Sequence, residues 1–239
     1  DERGNVVRRL VGGVVLNHLG WAQLLGLRTA IFGKQGDDPN GRFLRAGMER
    51  IGIAHRILLD GSASSFAQVY VDPSGARAIY MARGATGEYT ALEVEAQHAT
   101  LVADASVVTS EVSQLPLATV RKVLELAHAA GARTVVDLDV SLADAVPALG
   151  SEDELLAVLR LADVIKPSLA ALDGLVAHRR AKGLPATGVN FGPWAQGGMA
   201  SSEAAVANIT AQGLIPLEPS AALAALAEVV ANGTGQAAV

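Results

Sequence analysis

The run from Leu24 to Asp38, LLGLRTAIFGKQGDD, connects a predicted helix to a short strand and an acidic turn. Before it, Leu16–Leu25 has the apolar spacing of a helix, and within it Thr29–Gly33 is predicted as a strand. A turn through Gly36–Gly41, rich in Gly, Asp, Asn and Pro, then leads into a predicted helix over Arg42–Ile51. This order of helix, strand, turn and helix is typical of α/β folds.

The same alternation continues to about residue 183, interrupted by one predicted hairpin. The hairpin consists of Phe66–Asp72 and Arg77–Ala82, separated by the turn residues Pro73-Ser74-Gly75. Further elements are predicted as strands at Ser106–Thr109, Thr134–Leu138 and Asp163–Lys166 and as helices at Ala91–Leu101, Leu117–Ala130, Glu152–Leu161 and Ser168–Lys182. Short Val- and Ile-rich strands between helices predict a parallel sheet covered on both faces. We therefore expect a Rossmann-like α/β fold with a small β-hairpin lid over about residues 64–83.

Composition and charge exclude several classes of protein. The 239 residues are 50% hydrophobic and 18% charged, which rules out a wholly disordered chain. The absence of cysteine rules out disulfides, zinc–thiolate sites and cysteine nucleophiles, and it fits a cytoplasmic setting. A net charge of −5 predicts no nucleic-acid partner. The uncharged stretch Leu10–Leu27 contains Asn17, His18 and Gln23, so we predict a buried amphipathic helix and no membrane partner.

Gly12-Gly13 followed by Asn17 lies directly before the first apolar helix. A backbone without Cβ atoms lets a polar ligand approach closely, and an Asn amide offers both donors and acceptors. A turn without any ligand contact is the alternative interpretation. Taken together with the run from Leu24 to Asp38 and with Gly41, this segment resembles the N-terminal half of a ribokinase-like (PfkB) carbohydrate kinase.

The resemblance extends from about Val7 to Leu175. Arg83-Gly84-Ala85 after the hairpin is similar to the R-G-A-N segment of that family. Glu111 follows a strand where the family often has a sugar-contacting acid, and Ala162–Pro167 resembles its A-D-x-x-K-P-N element.

The resemblance implies a small-molecule sugar or polyol as substrate, ATP and Mg²⁺ as cofactors, and a lid function for the hairpin. It leaves a homodimer open. The resemblance implies that Gly12, Gly13 and Asn17 contact sugar hydroxyls. It implies that Asp37 and Asp38 shape the neighbouring loop. Arg83 and Glu111 would line the pocket.

The chain also departs from the pattern of this family. Ser168 and Ala171 stand where the family has the Asn and Glu of an N-x-x-E motif near magnesium and phosphate. The chain has no late G-A-G-D loop, which in the family supplies an anion hole and the Asp that acts as base. A substrate-binding Asp on a first strand would precede residue 1. We therefore expect impaired phosphoryl transfer, assign no catalytic residue and predict no metal ligand.

The composition changes after Lys182, because the final 57 residues contain neither Lys nor Arg. The segment from Ala177 to Trp194, AHRRAKGLPATGVNFGPW, resembles the C-terminal end of a polyketide synthase ketoreductase domain, a short-chain dehydrogenase relative. In that family Gly192 and Pro193 would lie beside the nicotinamide of NADPH. Ile165 and Leu169 stand where the ketoreductase Tyr and Asn are expected, and no early G-x-G-x-x-G is present.

These two resemblances predict a kinase-like domain over 1–176 and a ketoreductase-like segment over 177–239 that completes the sheet. Two alternatives to a carbohydrate kinase stay open: an NADPH-dependent ketoreductase fragment, and a non-catalytic fusion of natural or designed origin. Among the remaining polar residues, the five histidines lack the spacing of metal ligands. Asp137 and Asp139 end a predicted strand, where α/β sheets place either ligand-binding groups or simple cap acceptors.

Overall fold

The computed structural model describes residues 7–60, 62–72, 77–184, 186–190, 206–207, 210–211, 213, 215–232 and 236–238. The chain divides into two compact units, Asp1–Lys166 and Pro167–Val239, which are described separately below. The division lies N-terminal to the boundary predicted near residue 176. No helix among these described ranges is both long and apolar enough to span a bilayer.

The first unit alternates helices and strands. Its helices are α1 (Val14–Leu24), α2 (Pro39–Ile51), α3 (Ala91–Ala103), α4 (Leu117–Ala129), α5 (Leu142–Leu149) and α6 (Glu152–Leu161), with a 3₁₀ turn at Gly84–Glu88. Its strands are β1 (Ala30–Gln35), β2 (Ala54–Leu59), β3 (Phe66–Val71), β4 (Arg77–Ala82), β5 (Val107–Val112), β6 (Arg133–Leu138) and β7 (Val164–Pro167). The second unit contains α7 (Leu169–Ala181), β8 (Gly188–Asn190), α8 (Pro219–Asn232) and β9 (Gln236–Ala238).

The strands form parallel pairs and one antiparallel hairpin. β1 pairs in parallel with β2, and β5, β6 and β7 form a three-stranded sheet in that order. β5 and β6 are parallel, with Glu111 opposite Asp137. β3 and β4 form the predicted antiparallel hairpin, whose turn residues 73–76 lie outside the described residues. β8 pairs in parallel with β9. The predicted α/β class, with parallel strands flanked by helices, is confirmed.

Helix α4 lies at the centre of the main apolar core. It packs against α3, α6 and β5. Valines of α3, α4 and β5 form one continuous cluster of buried side chains that includes Val94, Val102, Val108 and Val123. Burial of such side chains stabilises the fold by about 1.5–3 kcal/mol each. The rigid base that results carries the carboxyl ends of β5 and β6.

Local sequence explains where several helices begin and end. Thr90 and Glu93 form a capping box at the start of α3, and Ser151 and Glu154 do the same for α6. Gly52 ends α2 with a φ of 87°, a left-handed conformation that favours glycine. The predicted helix bounds therefore agree with the structure to within a few residues.

The prediction that Leu10–Leu27 is a buried helix was wrong. Leu16 is the buried residue of α1, packed against Met48, whereas Trp21 and Leu24 are 67% and 75% exposed. Because α1 packs through one side only, its other apolar side chains stay in contact with solvent. Strand β2 and helix α5 were not predicted from the sequence.

Candidate functional site

The segment before α1 leaves an open backbone surface. Gly13 precedes the helix with a φ of 124°, and its carbonyl accepts a hydrogen bond from the backbone N–H of Asn17 at 2.9 Å. Within the described part of the chain, a Cβ placed on Gly12 would have no neighbour inside 4 Å. Asn17 is exposed. Gly12, Gly13 and Asn17 are therefore all exposed, and their contact with a polar ligand stays a prediction.

His18 connects α1 to the three-stranded sheet. Its Nδ1 lies 3.2 Å from Oγ1 of Thr109 on β5, and its Nε2 lies 3.1 Å from Oδ2 of Asp137 on β6. Both ring nitrogens of this imidazole are thus engaged. Because His18 directly follows Asn17 in the helix, these two contacts hold this part of α1 against β5 and β6.

Asp137 is the buried acid of this arrangement. Its side chain is 1% exposed, and its Oδ2 also accepts a hydrogen bond from Nζ of Lys166 at 2.7 Å. Lys166 is 61% exposed, so only the carboxylate end of the ion pair is removed from solvent. Oδ1 of Asp137 has no hydrogen-bond partner among the described residues.

Glu111 is the second-last residue of β5 and lies directly beside Asp137 in the sheet register. Its carboxyl group accepts hydrogen bonds from the Ser113 hydroxyl, from the Gln114 N–H at 3.2 Å and from the Leu115 N–H at 3.4 Å. Burial raises the pKa of the Glu111 carboxyl above its usual value, and these hydrogen bonds oppose the shift. Both of its oxygens are therefore occupied by its own loop.

Arg83 is directed at backbone carbonyls. Its Nε donates to the Gln114 carbonyl at 2.8 Å, and its Nη1 donates to the Ala148 carbonyl at 2.7 Å. Arg83 and Glu111 lie close together, since both bind the backbone of Gln114, and their role in lining a pocket stays a prediction. The contacts of Arg83 connect the end of the hairpin to the loop after β5 and to α5.

Asp37 and Asp38 have different environments. Asp38 caps α2, accepting the Gly41 N–H at 2.7 Å and the Ser64 N–H at 2.6 Å. These backbone hydrogen bonds hold the pKa of Asp38 below its usual value. Asp37 is 69% exposed and pairs with Arg42 at 3.1 Å. The two acids shape the β1–α2 loop, and the contacts described for them do not include the α1 or β5–β6 residues.

The structure therefore gathers part of the predicted site at one edge of the sheet. His18, Thr109 and Lys166 are additional members that the sequence did not identify. For Asp137 the signal was its position at a strand end, whereas His18 and Thr109 had no local signal. Gly192 and Pro193, predicted for NADPH, lie outside the described residues. Across the described ranges, no group of three or more His, Asp or Glu side chains could hold a metal ion.

Known proteins that resemble this chain include a family of carbohydrate kinases and several solved kinase structures. The model of the pfkB family carbohydrate kinases matches residues 1–186. Similar solved structures include a fructokinase from Xylella fastidiosa, with 22% identity and a TM-score of 0.57 over 72% of this chain and 54% of that one. An adenosine kinase from Schistosoma mansoni, in complex with adenosine, gives 13% identity and a TM-score of 0.61 over 71% of this chain and 50% of that one. At these identities the likeness shows the fold, and the chain spans about half the length of these kinases.

Curated proteins that match this chain, among them two polyketide synthases, share only short stretches with it. A stretch of 64 residues, 27% of this chain, is 45% identical to polyketide synthase GfsB of Streptomyces halstedii. A stretch of 29 residues, 12% of this chain, is 69% identical to a phenolphthiocerol/phthiocerol polyketide synthase of Mycobacterium tuberculosis. The matched stretches represent 1% of the length of either synthase.

Proposed function

The chain belongs to the pfkB family of carbohydrate kinases, and from that premise we propose that it binds a small neutral sugar or polyol and transfers phosphoryl groups poorly. The ligand would lie at the carboxyl ends of β5 and β6, beneath the start of α1. In open α/β sheets, the carboxyl ends of the strands are where ligands bind.

The observation that carries this proposal is the position of α1. His18 contacts both β5 and β6, so the accessible backbone of Gly12 and Gly13 and the amide of Asn17 are fixed relative to a buried carboxylate, Asp137. Hydroxyl groups both donate and accept hydrogen bonds. A ligand with several hydroxyls therefore complements a site that combines an amide, backbone groups and a carboxylate.

The residues present do not fit ATP with Mg²⁺ as the family uses them. Ala171, at the position of the metal-side acid, is 1% exposed and has no oxygen in its side chain. Ser168 replaces the preceding Asn, and no G-A-G-D segment occurs in the 239 residues. Phosphoryl transfer depends on positioning and on stabilisation of charge, and this chain lacks the groups that would provide both.

A coupled ADP-release assay on the full chain tests impaired transfer, using a panel of pentoses, hexoses and nucleosides. We expect no sugar-dependent release above background. Turnover of about 1–100 s⁻¹, the usual range of kinases, would show that transfer is intact and that this part of the proposal is wrong.

Calorimetry with ribose, fructose and inositol at millimolar concentration tests binding. We expect saturable heat with at least one of them. In Gly12→Ala the new Cβ enters the space that the protein leaves open, so we expect a loss of at least ten-fold in affinity. Gly20→Ala, in the middle of α1 and also without neighbours inside 4 Å, is the matched control and should bind like the parent. Absence of saturable heat from the folded parent contradicts polyol binding.

We also propose that segment 177–239 derives from a polyketide synthase ketoreductase and has a structural role in this chain. The short stretches shared with two polyketide synthases support this origin. With Ile165 and Leu169 at the expected Tyr and Asn positions, proton transfer to a carbonyl has no donor there. Fluorescence titration should show no saturable binding of NADPH, and micromolar affinity would contradict this assignment.

A further inference from the structure

The free oxygen of Asp137 is the feature that the proposed function leaves unexplained. A buried carboxylate oxygen without a hydrogen-bond partner is unfavourable, because nothing replaces the water it loses on folding. Oδ2 accepts a hydrogen bond from Nζ of Lys166 and lies 3.1 Å from Nε2 of His18, whereas Oδ1 accepts from no described residue. The side chain is thus held through one oxygen, while the other is buried without a hydrogen-bond partner among the described residues.

Glu111, the neighbouring acid in the sheet, differs from Asp137 because both of its carboxylate oxygens already accept hydrogen bonds. Its two oxygens are occupied by Ser113, Gln114 and Leu115, all from the loop that follows β5. A ligand hydroxyl would have to compete with these contacts. Of the two adjacent carboxyl groups, the one expected from the family resemblance is therefore satisfied, and Asp137 is the one with an acceptor to offer.

Local charge limits the chemistry of the ligand. Lys166 and Asp137 form an ion pair, so together they contribute no net charge. His18 donates no further group, since both its ring nitrogens are engaged. Glu111 and the exposed Asp139 add only acidic groups, which interact unfavourably with each other. Among these groups the cation is already paired with a carboxylate, so an anionic ligand would find no free positive charge. A neutral ligand is therefore favoured.

We propose that Oδ1 of Asp137 accepts a hydrogen bond from a hydroxyl of a neutral polyol, while Nζ of Lys166 donates to a neighbouring oxygen of the same ligand. His18 is a positioning residue that fixes α1 relative to Asp137. The inference rests on the proposed function and deepens it, because it names the acid that contacts the ligand. Lys166 is largely exposed, so its long side chain can change rotamer to admit the ligand at little cost.

The decisive variant is Asp137→Asn in the full chain. Lys166 is a pure donor and already binds Oδ2, so the amide oxygen of the new side chain would face it and the NH₂ group would take the position of Oδ1. An acceptor for the ligand hydroxyl thus becomes a donor. We expect at least a ten-fold loss of affinity for the polyol that the parent binds, measured by calorimetry.

Two further variants separate this effect from charge and from the neighbouring acid. Asp139→Asn makes the same change of charge at an exposed position of the same edge and is the matched control. Glu111→Gln can keep all of its loop contacts, since its amide oxygen can accept from the backbone N–H groups and its NH₂ can donate to Ser113. Both should change affinity less than two-fold, with folding checked by circular dichroism.

The outcomes separate two possible failures: that Asp137 does not contact the ligand, and that the chain does not bind polyols at all. If the parent binds polyols, equal binding by Asp137→Asn, or a greater loss in Glu111→Gln, would overturn the role of Asp137 and leave polyol binding intact. If Asp137→Asn does not fold, Lys166→Gln decides: a loss of three-fold or more supports the inference, and unchanged affinity overturns it. Gluconate, an acid with similar hydroxyls, should bind at least ten-fold more weakly than the neutral polyol, and tighter binding would refute the neutral ligand. A parent without any polyol binding contradicts both proposals.

Discussion

Asp37→Ala and Asp38→Ala should have very different effects on stability, although the two acids are adjacent. Asp38 accepts two backbone N–H groups, from Gly41 within α2 and from Ser64 in the segment before the hairpin. Loss of a helix N-cap costs about 0.5–2 kcal/mol. Ser64 is 1% exposed, and a buried N–H left without a partner costs about 1–3 kcal/mol more. The expected total for Asp38→Ala is about 1.5–5 kcal/mol.

Asp37→Ala is the matched control. Its carboxylate is 69% exposed and pairs with Arg42 at the surface, where an ion pair contributes about 0–1 kcal/mol. Urea unfolding of the parent and both variants, with an unchanged m value, gives the comparison. With m of about 2–3 kcal/mol per M, the midpoint for Asp38→Ala should fall by about 1 M.

The pH dependence provides a second check on the same contacts. The backbone hydrogen bonds lower the pKa of Asp38 in the folded state below its ordinary value of 3.8. The stability they provide is therefore complete above that value and is lost as pH falls through the lower, folded pKa. The difference between parent and Asp38→Ala should shrink under strongly acidic conditions. Equal midpoints for the two variants at neutral pH would refute the reasoning.

Three further outcomes are expected. Arg83→Met should lower the free energy of unfolding by about 1–3 kcal/mol, because two backbone carbonyls lose a charged donor; a urea midpoint equal to that of the parent would contradict this. Gly84→Ala should destabilise by about 1–3 kcal/mol or more, since φ is 45° and the new Cβ would lie 2.1 Å from the Ala63 carbonyl oxygen; thermal unfolding measures it, and an unchanged midpoint would count against the strain. Burial raises the pKa of Glu111 in the folded state, so ionising this carboxyl group above about pH 4.5 lowers the stability of the parent. The Glu111→Gln variant has no such group, and its stability relative to the parent should therefore increase as pH rises through this range. A difference in stability that stays constant with pH would contradict the burial argument.

The elements that the sequence predicted well are those whose signals are local. Leu117–Ala130 was predicted as a helix from apolar periodicity and from Gly131 beyond its end, and Gly131 has a φ of 76° in the structure. Strand β2 was not predicted, because His55 and Arg56 interrupt its apolar run. Its strand conformation depends on pairing with β1, a contact that the local pattern does not show. Helix α5 was missed for a related reason, since Pro147 within it is typical of a break.

α/β geometry alone accounts for part of the arrangement at the candidate site. Acidic residues that end neighbouring parallel strands must lie at one edge, so Glu111 and Asp137 were both foreseeable there. The contribution of His18 was not, because it contacts Thr109 across 91 residues of sequence and no motif encodes that contact. Only the packing of α1 against the sheet brings these side chains together.

Residue type also cannot decide which of two neighbouring acids contacts a ligand. That choice depends on which acceptors the protein itself satisfies, and hence on the direction of backbone N–H groups in the loop after β5. The loop turns back so that Gln114 and Leu115 donate to Glu111. No equivalent backbone donors reach Oδ1 of Asp137 among the described residues. The identity of the ligand-contacting acid is therefore set by the loop conformation.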